Sequence, residues 1–152
     1  MHGARVIWKA SGDFASGRYS RAHHWAFDGG AVVPASASPS VVPLPWSDAA
    51  GVDPEEAYVA ALSSCHMLWF LDLARRAGLV AVAYEDDATG EMRTEAGRAW
   101  VARVTLRPRV TWGIAPDAPT ETALHHAAHD QCFIANSVRT EIVIAPAEKD
   151  RT

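Results

Sequence analysis

Residues 53–78 read DPEEAYVAALSSCHMLWFLDLARRAG, and this stretch decides the fold. Asp53 suits an N-cap and Pro54 suits the first helical position. The two glutamates that follow place negative charge at the positive end of a helix. Gly78 supplies a stop after a basic last turn. The stretch therefore predicts one long helix over residues 54–77.

This helix is apolar on nearly every face, through Ala57–Leu62 and again through Met67–Leu71. A helix that is hydrophobic all round is typically buried on all sides. Its length alone would allow a membrane span, but its many small residues and the interruptions at Ser63, Ser64 and His66 argue against one. We therefore expect it to be the buried centre of the protein.

The composition is that of a soluble globular protein, with 49% apolar and 21% charged residues in 152. This length predicts a single domain over residues 1–152. A net charge of −4 does not indicate the positively charged surface that binds nucleic acid or an acidic membrane. The N-terminus shows no secretory signal pattern, so a cytoplasmic, reducing location is the expectation.

The remaining segments read mostly as strands, with a second helix over residues 118–131. Residues 34–45 are rich in proline and serine and predict a surface connection. Strands grouped around helices, without strict alternation, indicate an α+β fold. The predicted strands are Arg5–Ala10, Tyr19–Phe27, Leu79–Tyr84, Arg98–Val104, Thr105–Trp112 and Val138–Ile144.

The chain has two cysteines, Cys65 and Cys132, which are 67 positions apart. This spacing excludes a local CxxC motif, so any joint chemistry must be made by tertiary folding. The pair is a long-range thiol pair, part of a shared metal site, or two unrelated core residues. In a reducing compartment a cysteine pair is more often reactive or metal-binding than structural.

Four motifs in order resemble the osmotically inducible protein C / organic hydroperoxide resistance superfamily. They are YSRAH at residues 19–23, DPEE at 53–56, AALSSCHMLW at 60–69 and HHAAHDQCFIANS at 125–137. The resemblance covers most of the chain. It implies an intertwined homodimer of α+β subunits, with antiparallel sheets around a long buried central helix. Many members are thiol peroxidases that reduce organic hydroperoxides and are regenerated by an external dithiol, with no cofactor or metal.

The resemblance also implies roles for individual residues. Cys65 is similar to the peroxidatic cysteine, Cys132 to the resolving cysteine and Glu55 to the acidic partner. Arg21 matches the arginine of the most similar subfamily, whereas Arg18 fits the Gly-Arg pattern of other members. One departure is the residue after Cys132, which is phenylalanine where other members often have proline.

The implied chemistry is physically consistent. A guanidinium near Cys65 favours the thiolate that attacks a peroxide bond. Glu55 would hold the arginine by a bidentate pair, and Cys132 would trap the Cys65 sulfenic acid as a disulfide. Ten helical residues separate Glu55 and Cys65 by roughly 15 Å. A long arginine must therefore bridge that gap, or the glutamate must serve the cysteine of a partner subunit.

Two other functions fit the sequence. His125, His129 and Cys132 fall at i, i+4 and i+7, and with Cys65 or His66 they would make a tetrahedral zinc site. Alternatively, the fold holds a small hydrophobic ligand without turnover. Metal analysis and peroxide turnover distinguish these functions from a peroxidase.

Overall fold

The computed structural model of the chain describes residues 1–146, and residues 147–152 lie outside the described part. It divides into two compact units, Met1–Ala57 and Tyr58–Thr152. The elements are β1 (Ala4–Ile7), β2 (Gly12–Asp13), β3 (Arg18–Tyr19), β4 (His23–Phe27), β5 (Val32–Ala35), α1 (Pro54–Arg76), β6 (Val80–Asp86), β7 (Thr89–Glu95), β8 (Arg98–Leu106), β9 (Pro108–Ile114), α2 (Ala118–Gln131), a 3-10 turn (Ala135–Ser137) and β10 (Glu141–Ile144).

The first unit contains a three-stranded antiparallel sheet in the order β1-β4-β5 and a small hairpin of β2 and β3. The sequence predicted one strand over Tyr19–Phe27, but this segment is broken between β3 and β4. The break lies where the Arg21 N–H donates to the carbonyl of Trp46 at 2.9 Å, a bond to a distant loop residue that sequence patterns do not show.

The second unit contains a sheet in the order β10-β8-β7 and an antiparallel pair of β6 and β9. β7 and β8 are antiparallel, whereas β10 runs parallel to β8, with Ile142 opposite Val104. The predicted α+β class is confirmed, and its antiparallel sheets include this one parallel pairing. The core of the unit is formed by Leu62, Val104 and Leu106, each at most 1% exposed.

Helix α1 begins with a reciprocal capping box, in which Asp53 is the predicted N-cap. The Glu56 N–H donates to the Asp53 carboxylate at 2.7 Å, and the Asp53 N–H donates to the Glu56 carboxylate at 3.2 Å. The helix ends just before Gly78, whose φ of 76° is in the left-handed region that glycine tolerates.

The single chain buries α1 on one side. The chain itself buries only one stripe, formed by Leu62, His66, Phe70 and Ala74. Leu68, on another face, is 61% exposed. Burial of the other faces of α1 would need a second copy of the chain, and it stays a prediction. By length and composition α1 would also suffice to cross a membrane, but this is weak evidence, because core helices of soluble proteins meet the same criteria.

Candidate active site

The fold brings the two cysteines together within the second unit. Cys65 lies in the middle of α1 and is half-buried, whereas Cys132 caps the C-terminus of α2 and is 1% exposed. Both are free thiols. Cys65 lies close enough to act on Cys132 through a side-chain hydrogen bond and through its charge. This proximity is what a long-range thiol pair requires, and joint chemistry of the two cysteines stays a prediction.

The surroundings of Cys132 keep its thiol protonated. Burial raises the pKa of the Cys132 thiol to about 11, and the hydrogen bond and charge of Cys65 act in the same direction. The backbone N–H of Ala135 donates to the Cys132 sulfur at 3.3 Å and works against this shift. Because the thiolate is the nucleophilic form, Cys132 is a poor nucleophile at neutral pH.

Two aromatic side chains follow the cysteines along their elements. Trp69 lies one helical turn after Cys65, and Phe133 is the residue after Cys132. Their ring centroids are 5.4 Å apart and the rings are perpendicular, an edge-to-face contact. Phe133 is 70% exposed. This contact links the segment after Cys132 to the helix that carries Cys65.

The histidines of the zinc hypothesis form a different arrangement. His66 Nε2 lies 3.0 Å from His125 Nδ1, so these two nitrogens bind each other. Helix α2 ends at Gln131, so Cys132 does not continue the helical face of His125 and His129. No group of three or more His, Cys, Asp or Glu within residues 1–146 is placed to hold a metal ion. The zinc alternative therefore has no ligand set in the described part of the chain.

The two candidate arginines are both in the first unit but have different surroundings. The Arg21 guanidinium lies 3.6 Å from the centre of the Tyr19 ring and donates to the carbonyls of Tyr19 at 2.5 Å and Gly17 at 2.9 Å. Arg18 is exposed and pairs with Asp13 at 3.8 Å. Arg21 is therefore the arginine that is held in a fixed orientation.

Arg21 lies in the wall of a pocket of about 370 Å³ in the first unit. Three packed aromatic rings, those of Trp8, Phe14 and Tyr19, form one side of it. The remaining lining residues are Val6, His23, Ser36, Ala37 and Pro54. A largely apolar pocket with one fixed cation suits a small molecule with an organic tail and a polar head.

Glu55 is half-buried in the first turn of α1. Within residues 1–146 it forms no ion pair, and the predicted bidentate pair with Arg21 is not formed in the single chain. Its neighbour Glu56 is the residue that caps the helix. The carboxylate of Glu55 is therefore not used by the helix cap.

The comparison with known proteins identifies the family. The model of the OsmC-like protein family matches residues 47–146, so the chain belongs to that family. The match includes both cysteines and Glu55, while Arg21 lies before its first residue. No curated protein matches the chain significantly.

Solved structures agree with this assignment. An OsmC-like protein of unknown function from Vibrio cholerae is 48% identical, with a TM-score of 0.93 over 97% of this chain and 99% of that one. An organic hydroperoxide resistance protein from Legionella pneumophila (16% identity, TM-score 0.67, covering 96% of each chain) has the same fold. So does OhrB of Bacillus subtilis (18% identity, TM-score 0.66, covering 95% of this chain and 98% of that one).

Proposed function

We propose that this protein is a thiol-dependent peroxidase that reduces organic hydroperoxides through a Cys65 thiolate and a Cys65–Cys132 disulfide. The observation that carries this proposal is the asymmetric thiol pair. Cys132 keeps its proton because burial and Cys65 raise its pKa to about 11, and it can donate that proton to Cys65. This supports attack by Cys65 and a later, resolving step by Cys132.

The reaction proceeds in three balanced steps. The Cys65 thiolate attacks one oxygen of ROOH, the O–O bond breaks, and the leaving alkoxide takes a proton to give ROH. The Cys65 sulfenic acid then reacts with the Cys132 thiol, which forms the disulfide and releases water. An external dithiol reduces this disulfide by exchange and is itself oxidised to a disulfide.

Arg21 and Glu55 are assigned to the same reaction. A guanidinium has a permanent charge and a planar set of donors that suit a peroxide oxygen and the developing alkoxide. The fixed orientation of Arg21 and its aromatic pocket support this role, since an organic hydroperoxide carries an apolar tail. The carboxylate of Glu55 would orient this arginine.

We also propose that the protein is a homodimer acting in the cytoplasm. Support for the dimer comes from large apolar side chains that the single chain leaves in solvent, since exposed apolar patches often mark protein interfaces. The exposed large apolar residues of the second unit are Leu68, Val80, Val82, Met92, Ile114 and Phe133. An obligate dimer would bury more than roughly 2,000 Å² in total.

A second candidate function is the binding of a small hydrophobic ligand without turnover. The observation that favours it is the pocket beside Trp8, Phe14 and Tyr19, which needs no thiol to hold an apolar molecule. In that case both cysteines would be dispensable for binding.

The decisive experiment measures turnover of cumene hydroperoxide with dithiothreitol as reductant. Wild-type protein is expected to turn over, and Cys65→Ser is expected to abolish turnover. Ser64→Ala, a matched change at the exposed neighbouring position, should leave the rate unchanged. Near-wild-type rates with Cys65→Ser would remove the thiol mechanism. Binding of cumene alcohol without turnover by the wild-type protein would favour the ligand-binding function.

A further inference from the structure

A buried pair of histidines connects the two helices of the second unit. His66 on α1 and His125 on α2 are 1% and 2% exposed. Their rings are nearly parallel, with an interplanar angle of 8° and centroids 5.3 Å apart, and a 3.0 Å hydrogen bond joins Nε2 of His66 to Nδ1 of His125. A buried polar bond of this kind fixes the relative position of the elements that carry it.

Each histidine lies on a helix that also carries one of the thiols. His66 is the residue after Cys65, so the two share one turn of α1. His125 is seven residues before Cys132, about 10 Å along α2 at 1.5 Å per residue. The hydrogen bond therefore joins the helix that carries Cys65 to the helix that ends at Cys132.

Packing around the rings keeps this geometry. The Phe70 ring stacks on His125 at 4.1 Å and on His66 at 6.5 Å. On its other sides Phe70 contacts the rings of Tyr84 and Trp112 from β6 and β9. A shift of either histidine would disturb this close-packed cluster, so the pair has little freedom to slide.

Disulfide formation is sensitive to small displacements. The two Cα atoms must lie about 4.4–6.8 Å apart with their Cβ atoms directed towards each other. We infer that the His66–His125 hydrogen bond is a positioning element that holds Cys65 and Cys132 at disulfide-forming distance. This role rests on the proposed function, because it concerns the resolving step of that reaction. Neither histidine contacts the peroxide or exchanges a proton with it.

The test measures the equilibrium stability of the Cys65–Cys132 disulfide, and it uses no peroxide. Protein is equilibrated with mixtures of oxidised and reduced dithiothreitol, the thiols are trapped by alkylation, and the disulfide fraction is counted by mass spectrometry. Two electrons and two protons pass from the protein dithiol to oxidised dithiothreitol. The equilibrium constant therefore reports the effective concentration of Cys65 relative to Cys132, even if the protein is not a peroxidase.

Five variants of α2 and α1 separate positioning from general stability. His125→Phe keeps a ring but removes the bonding nitrogen, and the equilibrium constant should fall by about tenfold, the order of one buried hydrogen bond. His125→Asn keeps a polar atom near the Nδ1 position and should recover most of that loss. The same His→Phe change at the exposed neighbour His126 should have no effect. Should circular dichroism show that His125→Phe is unfolded, His66→Met compared with His66→Gln makes the same test.

An unchanged equilibrium constant in folded His125→Phe would overturn the inference. An equal fall in His125→Phe and His125→Asn would also overturn it, because the loss would then follow from altered packing and not from the hydrogen bond. If the constants change as expected but cumene hydroperoxide is not turned over, the positioning role stands and the proposed peroxidase function fails.

Discussion

The sulfur of Cys132 accepts the backbone N–H of Ala135 at 3.3 Å, yet the pKa of the Cys132 thiol is raised to about 11. A hydrogen bond to sulfur stabilises the thiolate, but burial removes more of its solvation than one N–H restores. Cys65 adds to this effect through its own hydrogen bond and charge. The local turn thus positions the Cys132 sulfur without making it reactive.

Cys132 is therefore predicted to be alkylated slowly. With a pKa of about 11 in place of 9.0, its thiolate fraction at pH 8 is about a hundredfold lower than that of an ordinary cysteine. Iodoacetamide should modify Cys65 first, as read by mass spectrometry over time. Cys65→Ser removes the contributions of Cys65 while burial remains, so the Cys132 pKa should fall. Modification of Cys132 before Cys65 would contradict the assigned order of attack.

Cys132→Ser should uncouple the two thiol steps. Cys65 still reduces one equivalent of hydroperoxide, but no neighbouring thiol remains to trap its sulfenic acid. With excess peroxide, mass spectrometry should find Cys65 as sulfinic and sulfonic acid, whereas wild-type protein should show the Cys65–Cys132 disulfide. Absence of that disulfide in wild-type protein after one equivalent would remove the resolving role of Cys132.

Arg21 and Arg18 provide a matched test of which guanidinium assists the reduction of the hydroperoxide. Arg21→Gln should lower kcat/KM for cumene hydroperoxide by about a hundredfold, the order of a lost transition-state donor. Arg18→Gln, which changes an exposed residue paired with Asp13, should leave kcat/KM unchanged. Steady-state assays of both variants show which arginine takes part in the reaction. A large loss with Arg18→Gln and none with Arg21→Gln would transfer the role to Arg18.

The sequence predicted the helices well because their ends carry local chemical signals. Asp53 and Glu56 form the capping box that their spacing indicates, and Gly78 follows the last turn of α1 with a positive φ. These contacts join residues a few positions apart, so one segment of sequence contains all the information required.

The strand β7 was not predicted, and the reason is physical. Its sequence, TGEMRTE, is exposed at all seven positions, so it has no buried face and no alternation of apolar residues. It forms because β8 pairs with it, from Thr89 opposite Thr105 to Glu95 opposite Arg98. Pairing with a partner strand requires no particular pattern in the polar sequence of β7, so the sequence does not predict it.

Within the candidate site, the sequence left a thiol pair open as one possibility, whereas it gave no sign of the histidine pair. His66 and His125 are 59 residues apart, and their spacing was compatible with zinc ligands. Only the tertiary fold shows that each uses its facing nitrogen for the other. The relation of Glu55 to Arg21 stays a prediction, since it depends on contacts that one chain does not make.

Dimerisation is predicted to depend on the exposed face of α1. Leu68→Glu places a charge on a helix face that is 61% exposed in the single chain, so it should not disturb the monomer core. Across a dimer interface the same charge would be buried without a partner, at a cost of several kcal/mol. Light scattering should show a wild-type dimer and a largely monomeric or unfolded variant.

The control for this prediction is Val41→Glu. Val41 is 70% exposed in a loop of the first unit, so the charge is the same but α1 is unaffected. This variant should remain dimeric. A folded wild-type monomer at micromolar concentration would contradict the dimer itself, and a dimeric Leu68→Glu would place the interface on another surface.

The last prediction concerns acid stability, and it follows from the buried histidine pair. Burial lowers the pKa of both His66 and His125 from 6.5 to about 4. The charges facing His66 are those of His125 and His129 from α2, which lower its pKa further, and of Asp86 from β6, which raises it. The neighbouring His126 lowers the pKa of His125.

These pKa shifts determine whether the free energy of unfolding rises or falls with pH. Between pH 6.5 and 4 the unfolded chain binds protons at both rings while the folded chain does not, so the free energy of unfolding falls as the pH falls. A pKa shift of this size corresponds to a loss of unfolding free energy on the order of 3 kcal/mol per ring. The two rings together contribute less than twice that value, because their titrations interact. The double variant His66→Gln/His125→Asn should lose most of this dependence, whereas His126→Gln should keep it. Urea unfolding at roughly pH 7, 6, 5 and 4.5, which runs from above the ordinary histidine pKa to well below it, measures the slope. Equal slopes for wild type and the double variant would show that the pair is not buried in its neutral form.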